Sequence, residues 1–208
     1  MTVRTNDRIS VIGLAALAGL CTALPARANL ITNGDFETGT LSGWMSTGNV
    51  GVAALPYFGL SEPTYGNYSA SFNGGDSVPN GVLYQTISTV AGTSYTMAFN
   101  YVDNAYASGY SQSITASAQN GAGQTLSSQS YTSSVPTQPY SLNFTAISST
   151  TTISFADFPD NNTVSQDGIL DNVSANIAAA VPEPSSLALL VFGAAGVVTM
   201  RRRVFKAQ

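Results

Sequence analysis

Between Asn29 and Ala180 apolar and polar side chains alternate with a period of two, and no apolar stripe at helical spacing can be followed for three turns. Tyr68, Ala70 and Phe72 alternate with Ser69, Ser71 and Asn73, and Leu83, Gln85 and Ile87 alternate with Tyr84 and Thr86. Tyr95, Met97, Phe99 and Tyr101 repeat the pattern against Thr96, Ala98 and Asn100. Tyr140, Leu142, Phe144 and Ala146 follow it, as do Thr151, Ile153 and Phe155. Strands that bury one face against a second layer read in this way. Turn-forming pairs punctuate them: Asn73-Gly74-Gly75, Pro79-Asn80-Gly81, Ala91-Gly92, Asn120-Gly121 and Asp167-Gly168. About eight to ten strands are predicted, enough for an all-β, two-sheet sandwich of jelly-roll or immunoglobulin-like type. The polar, Ser/Gln-rich stretch from Ser108 to Ser134 predicts edge strands and loops.

The two ends break the pattern. MTVRTNDR is followed by an apolar run from Ile9 to Leu24 and by Ala26-Arg27-Ala28. That order of basic region, apolar region and small residues predicts a secretory signal peptide over residues 1–28, cut by signal peptidase after Ala28. Cys21, the single cysteine, leaves with it, so the exported body holds no thiol and no disulfide. At the other end Val181-Pro182-Glu183-Pro184 stops regular structure. Ser185 to Met200 is uncharged, and Arg201, Arg202 and Arg203 follow at once. This predicts a short transmembrane helix over 185–200 with its basic end in the cytoplasm, holding the chain in the inner membrane with the body outward. The domains expected are a signal peptide over 1–28, a β-sandwich over 29–180 and a tail over 181–208.

Charge sharpens the picture of the body. All seven Lys and Arg residues lie outside residues 29–180, and the chain has no His. Asp35, Glu37, Glu62, Asp76, Asp103, Asp157, Asp160, Asp167 and Asp171 therefore stand in the body with no cation among them. Such a body cannot neutralise a phosphate backbone, which excludes nucleic acid as its partner. Without His, triads built on His, His zinc sites and His-ligated haem are excluded too. Asp171 shares parity with Ile169, Val173, Ala175 and Ile177, which predicts a carboxylate in or beside the core. A buried carboxylate without a cationic partner needs backbone N–H donors, a proton or a bound cation.

Two resemblances add to these readings. The order V-P-E-P-S-S, apolar helix and basic cluster resembles the PEP-CTERM sorting signal of Gram-negative bacteria, with Pro182, Glu183 and Pro184 as its triad and Arg201, Arg202 and Arg203 as its basic end. That resemblance implies processing by an exosortase-type enzyme near the triad and delivery of the body to the cell surface or beyond. NLITNGDFETGTLSGW over Asn29 to Trp44 resembles the opening of galactose-binding-like jelly-roll modules, the fold of many carbohydrate-binding modules. LYQTISTVAGTSYTMAF resembles their paired central strands, and ILDNVSANI over Ile169 to Ile177 their closing strand. In that fold a structural calcium commonly joins the opening loop to the closing strand, which implies Glu37 and Asp171 as its ligands here; the other reading of both acids is capping and solvation. Asp35 is a candidate turn cap.

The remaining candidate chemistry is recognition of sugars. Tyr101, Asp103, Asn104, Tyr106 and Tyr110 make one candidate glycan-binding rim, and Tyr57, Phe58 and Tyr65 another. Trp44 reads as a core plug, and Asp160, Asn162 and Asp167 as an oxygen-rich loop without the closing glutamate of an EF-hand. No paired carboxylates are marked by a motif, so no catalytic residue is assigned. The functional expectation is a non-catalytic exported surface protein associating with extracellular polysaccharide. The alternative is a structural matrix or surface protein without a glycan pocket, and glycoside hydrolysis is a third class.

Overall fold

The alternating segments become strands in the computed structural model, which describes residues 28–56, 66–74, 80–105, 112–133, 138–157 and 166–178. The strands are β1 (Met45–Thr47), β2 (Val50–Ala54), β3 (Tyr68–Phe72), β4 (Val82–Ser88), β5 (Ser94–Ala105), β6 (Gln112–Asn120), β7 (Thr125–Ser133), β8 (Gln138–Thr145), β9 (Thr150–Asp157) and β10 (Gln166–Ile177). They form two five-stranded antiparallel sheets, ordered β1-β4-β9-β6-β7 and β2-β3-β10-β5-β8. Among the described residues there is no α-helix. The signal segment and the tail, including the expected helix over 185–200, lie outside them.

The core is the inner layer that the alternation marks out. Leu83 and Ile87 of β4, Tyr95, Met97, Phe99 and Tyr101 of β5, Leu142 and Phe144 of β8, and Ile153 and Phe155 of β9 all belong to one buried cluster. Trp44 is its plug: the indole packs against Phe36 and Phe155, and its Nε1 donates to the Asn33 carbonyl at 3.0 Å. Gln85 occupies an inward position yet is satisfied, because its amide donates to the Thr32 carbonyl at 3.0 Å and accepts from the Thr32 N–H at 2.8 Å. A side chain thus supplies the pairing that a strand neighbour would give, and docks the opening segment on the first sheet. Asn29 docks the same segment on β10, accepting the Ala175 N–H at 2.9 Å and donating to the Val173 carbonyl at 3.3 Å.

Four expectations are corrected. The stretch resembling paired central strands does not pair with itself: β4 and β5 lie in different sheets, joined by a turn with Gly92 at φ 81°. Asp167-Gly168 is not a turn but lies inside β10, opposite Asn104 and Asp103. Glycine is required there by space, since a Cβ on Gly168 would run into the Tyr101 hydroxyl and stand 3.0 Å from its ring carbons. Asp171 does not share a face with Val173, because the register slips between Asp171 and Ser174 with Asn172 at φ 51°. That bulge re-phases the strand, so that Leu170, Val173 and Ala175 enter the core while Ile169 joins Val102 in a separate small cluster. Finally, the Ser108 to Ser134 stretch does hold an edge strand, β7, but β6 lies between β9 and β7; its inward Ile114, Ala116 and Ala118 hide in a Ser-rich sequence.

Candidate functional site

Acids concentrate where the opening turns meet the closing strand. Glu37 stands exposed on the 33–42 turns and acts as a clip: Oε1 accepts the N–H groups of Asn67 at 2.7 Å and Tyr68 at 3.0 Å, and Oε2 accepts Asn67 Nδ2 at 2.9 Å. The Tyr68 and Asn67 donors hold its carboxyl below the usual range. Gly66 makes the clip possible, because it has φ 61° and a Cβ there would collide with the Glu37 carboxylate. Asp35 Oδ1 faces the Glu37 N–H at 3.4 Å, the turn-capping position expected of it.

Asp171 is 1% exposed, and its Oδ1 accepts the Asn172 N–H at 2.6 Å. Burial, helped by the charges of Glu37 and Asp35, pushes its carboxyl up to about 8 against that hydrogen bond. The fold therefore brings all three acids within electrostatic reach. A hollow of about 350 Å³ beside them is lined by Asn29, Asn33, Asp35, Asn172 and neighbouring backbone. Among the described residues, no group of three or more His, Cys, Asp or Glu side chains is arranged to hold a metal ion. The donor chemistry present is hard oxygen, the type that calcium takes, with Asp171 short of compensation and Glu37 already holding three N–H donors.

The glycan rim expected around β5 is dispersed. Tyr101 is 0% exposed and belongs to the core, so its ring face is covered by protein and cannot serve as a platform. Asp103 is equally buried, pushed up to about 6 by burial and then by the Asp167 charge. Asn104 pairs with Asp167 through the backbone of β5 and β10. Tyr106 and Tyr110 lie outside the described residues, as do Tyr57, Phe58, Tyr65, Asp160 and Asn162.

A different place has the shape of a binding site. An open groove of about 750 Å³ runs where the start of β5, the end of β8 and the start of β7 converge. Its lining carries the amides of Asn143 and Gln124, the hydroxyls of Ser94, Thr96, Thr125 and Thr145, and the apolar side chains of Leu126 and Ile147. Ile147 is 51% exposed. Thr96 Oγ1 donates to Asn143 Oδ1 at 2.7 Å, which fixes the amide, and Ser94 and Thr145 hydroxyls pair at 3.1 Å. Among the described residues, no ionisable side chain with a carboxyl or ammonium lines it. Sequence reasoning missed this groove because its parts come from three separated strand ends; the one local signal was Ile147, an apolar residue standing outside the alternation of β8 and β9.

The two-sheet, all-β sandwich matches the jelly-roll fold of solved carbohydrate-binding modules. It superposes on a solved structure titled TmCBM61 in complex with beta-1,4-galactotriose, with a TM-score of 0.53 and 18% identity over 73% of this chain and 99% of that one. It also superposes on the CBM22-1 xylan-binding domain of Xyn10C from Paenibacillus barcinonensis, with a TM-score of 0.53 and 14% identity over 76% of this chain and 100% of that one. The chain belongs to the family described as Protein of unknown function (DUF642), whose model matches residues 66–176. Residues 180–203 match the PEP-CTERM protein-sorting motif. A stretch of 72 residues is 36% identical to Exoglucanase XynX of Acetivibrio thermocellus; it makes up 34% of this chain and spans only 6% of that protein.

Proposed function

We propose that this is an exported, non-catalytic surface protein that its PEP-CTERM motif delivers to an exosortase-type enzyme, and whose β-sandwich holds extracellular polysaccharide in the groove between β5, β7 and β8. The observation that carries this reading is the groove's lining. Hydroxyls and amides match the donors and acceptors of sugar hydroxyls, Leu126 and Ile147 offer apolar surface to a sugar face, and the absence of charge suits a neutral glycan. Cleavage of a glycosidic bond uses two carboxylates beside the bond. None lines this groove, and Asp103 and Asp171 are buried elsewhere. The same proposal includes structural calcium at the junction of the opening turns and β10, held by Asp171 with Glu37 beside it, where the ion would neutralise a carboxylate that the fold leaves without a cation.

The test is retention of the purified chain on immobilised neutral polysaccharides, with galactan and xylan as first probes. Saturable binding is expected, and Asn143→Ala is expected to weaken it by about tenfold, since it removes a fixed hydrogen-bonding amide worth roughly 1–1.5 kcal/mol. Binding that is unchanged by Asn143→Ala and by Ile147→Ser would place the site elsewhere, and release of reducing sugar would replace the non-catalytic reading.

A further inference from the structure

Three turns close one end of the sandwich: residues 89–93 between β4 and β5, 121–124 between β6 and β7, and 146–149 between β8 and β9. None of these residues is charged. The first and third turns are bonded into one unit: the Gly92 N–H donates to the Ala146 carbonyl at 2.8 Å, the Ala146 N–H to Thr93 at 3.0 Å, and the Thr89 N–H to Ser149 at 2.9 Å. The Val90 N–H is held by the Tyr95 hydroxyl at 2.9 Å, and the Thr93 N–H by the Val90 carbonyl at 3.0 Å. Five backbone donors of this tip are thus satisfied inside the protein. Its side chains nonetheless point apolar surface outward. Val90 is 64% exposed, Ile147 51%, and Ile177, at the adjoining end of β10, 36%. The acids of the described residues stand elsewhere: Asp103, Asp157 and Asp167 lie toward the opposite ends of β5, β9 and β10, and Asp35 and Glu37 gather around Asp171 midway along β10.

Both terminal segments depart from this side. The Ala178 N–H donates to the Ser94 carbonyl at 2.8 Å where β5 begins, and Asn29 accepts the Ala175 N–H at 2.9 Å. Ser185, where the uncharged run of the tail starts, follows Ala178 by seven residues, at most about 25 Å of extended chain. We infer that this tip is a lipid-docking surface: while the tail holds the chain in a membrane, Val90 and Ile147 rest among the lipid headgroups and the acid-bearing end faces away. The inference rests on the reading of the tail as a membrane anchor and not on glycan binding. A cluster of exposed apolar side chains marks an interaction surface. Lipid fits this one because the turns carry no charge to desolvate, much of their backbone is already paired, and the tether is short. Ile147 also lines the groove, so on the glycan reading it meets lipid before the tail is processed and sugar afterwards.

The experiment places a bilayer-sensitive fluorophore on the full chain, carrying Cys21→Ser, at Ala91→Cys or Ser149→Cys in the tip and at Thr132→Cys toward the other end. The chain is reconstituted into phosphatidylcholine vesicles, and flotation shows whether it is anchored. Spin-labelled phosphatidylcholine is expected to quench most of the emission at the two tip positions and little at Thr132→Cys. Val90→Asp combined with Ile147→Asp is expected to leave flotation unchanged and to abolish the quenching at the tip. Circular dichroism checks the fold of each variant, and the two tip labels without the Asp substitutions decide if that pair does not fold. A chain that floats with equal quenching at all three positions, or with none at the tip, overturns docking and leaves the anchor standing. A chain that does not float overturns both. Tip labels shielded by self-association, with no quenching from lipid, would assign the surface to a second copy and overturn the inference.

Discussion

Asp171 shows how one side chain links composition to stability. Its carboxyl titrates at about 8 in the fold, and an unfolded aspartate titrates at about 3.9. Between these values the folded chain keeps a proton that the unfolded chain has released, so stability falls as pH rises, by at most about 1.4 kcal/mol per pH unit. Asp103 contributes in the same direction only up to about 6, which leaves pH 6 to 8 to Asp171. The melting temperature of the metal-free chain is expected to fall across that window, Asp171→Asn is expected to flatten the fall, and calcium is expected to restore the midpoint at pH 8. Thermal unfolding by circular dichroism at each pH is the measurement, and an undiminished slope in the variant would remove Asp171 as its source. That this acid would be problematic was legible from the missing cations. Its direction was not, because a bulge at Asn172 changes the parity that simple alternation assumes.

At the scale of the element, alternation located the inward residues of β3, β4, β5, β8 and β9, since one buried face imposes one period. It did not reveal which strands neighbour each other. β4 and β5 look like a hairpin from their short connection, yet they fall in opposite sheets. Gln85 is a polar residue that the alternation pointed inward, and the fold explains it by giving its amide to Thr32. Gln85→Ala leaves the Thr32 N–H and carbonyl unmatched at a partly buried edge, and is expected to cost about 1–3 kcal/mol. Urea unfolding would check this, with faster amide exchange at Thr32 as the local readout. A change below a few tenths of a kcal/mol would mean that water replaces the amide without penalty.

For the whole molecule, the jelly roll and the sorting tail are legible in the sequence, because the first repeats a two-residue period and the second joins three recognisable parts in fixed order. The groove is not, since its lining becomes contiguous only after two sheets have stacked. Replacement of Pro182, Glu183 and Pro184 by alanine is expected to keep the chain in the inner membrane, which fractionation and immunoblotting would show. Unchanged release would separate export from the motif.

The order of the first sheet has a further consequence at β7. This nine-residue strand pairs with β6 on one side and ends the sheet on the other. Proteins usually guard such a margin with lysine or proline, which spoil pairing between copies. Thr125 to Ser133 contains neither, and a body without cations has no lysine to place there. An unguarded margin of this kind is where a second copy of the chain would add a strand. Gln129→Lys supplies the missing guard at an exposed position. It is expected to reduce concentration-dependent association in light scattering while leaving the fold intact; equal association would show that β7 stays solvated, and that neutrality costs the protein nothing at this edge.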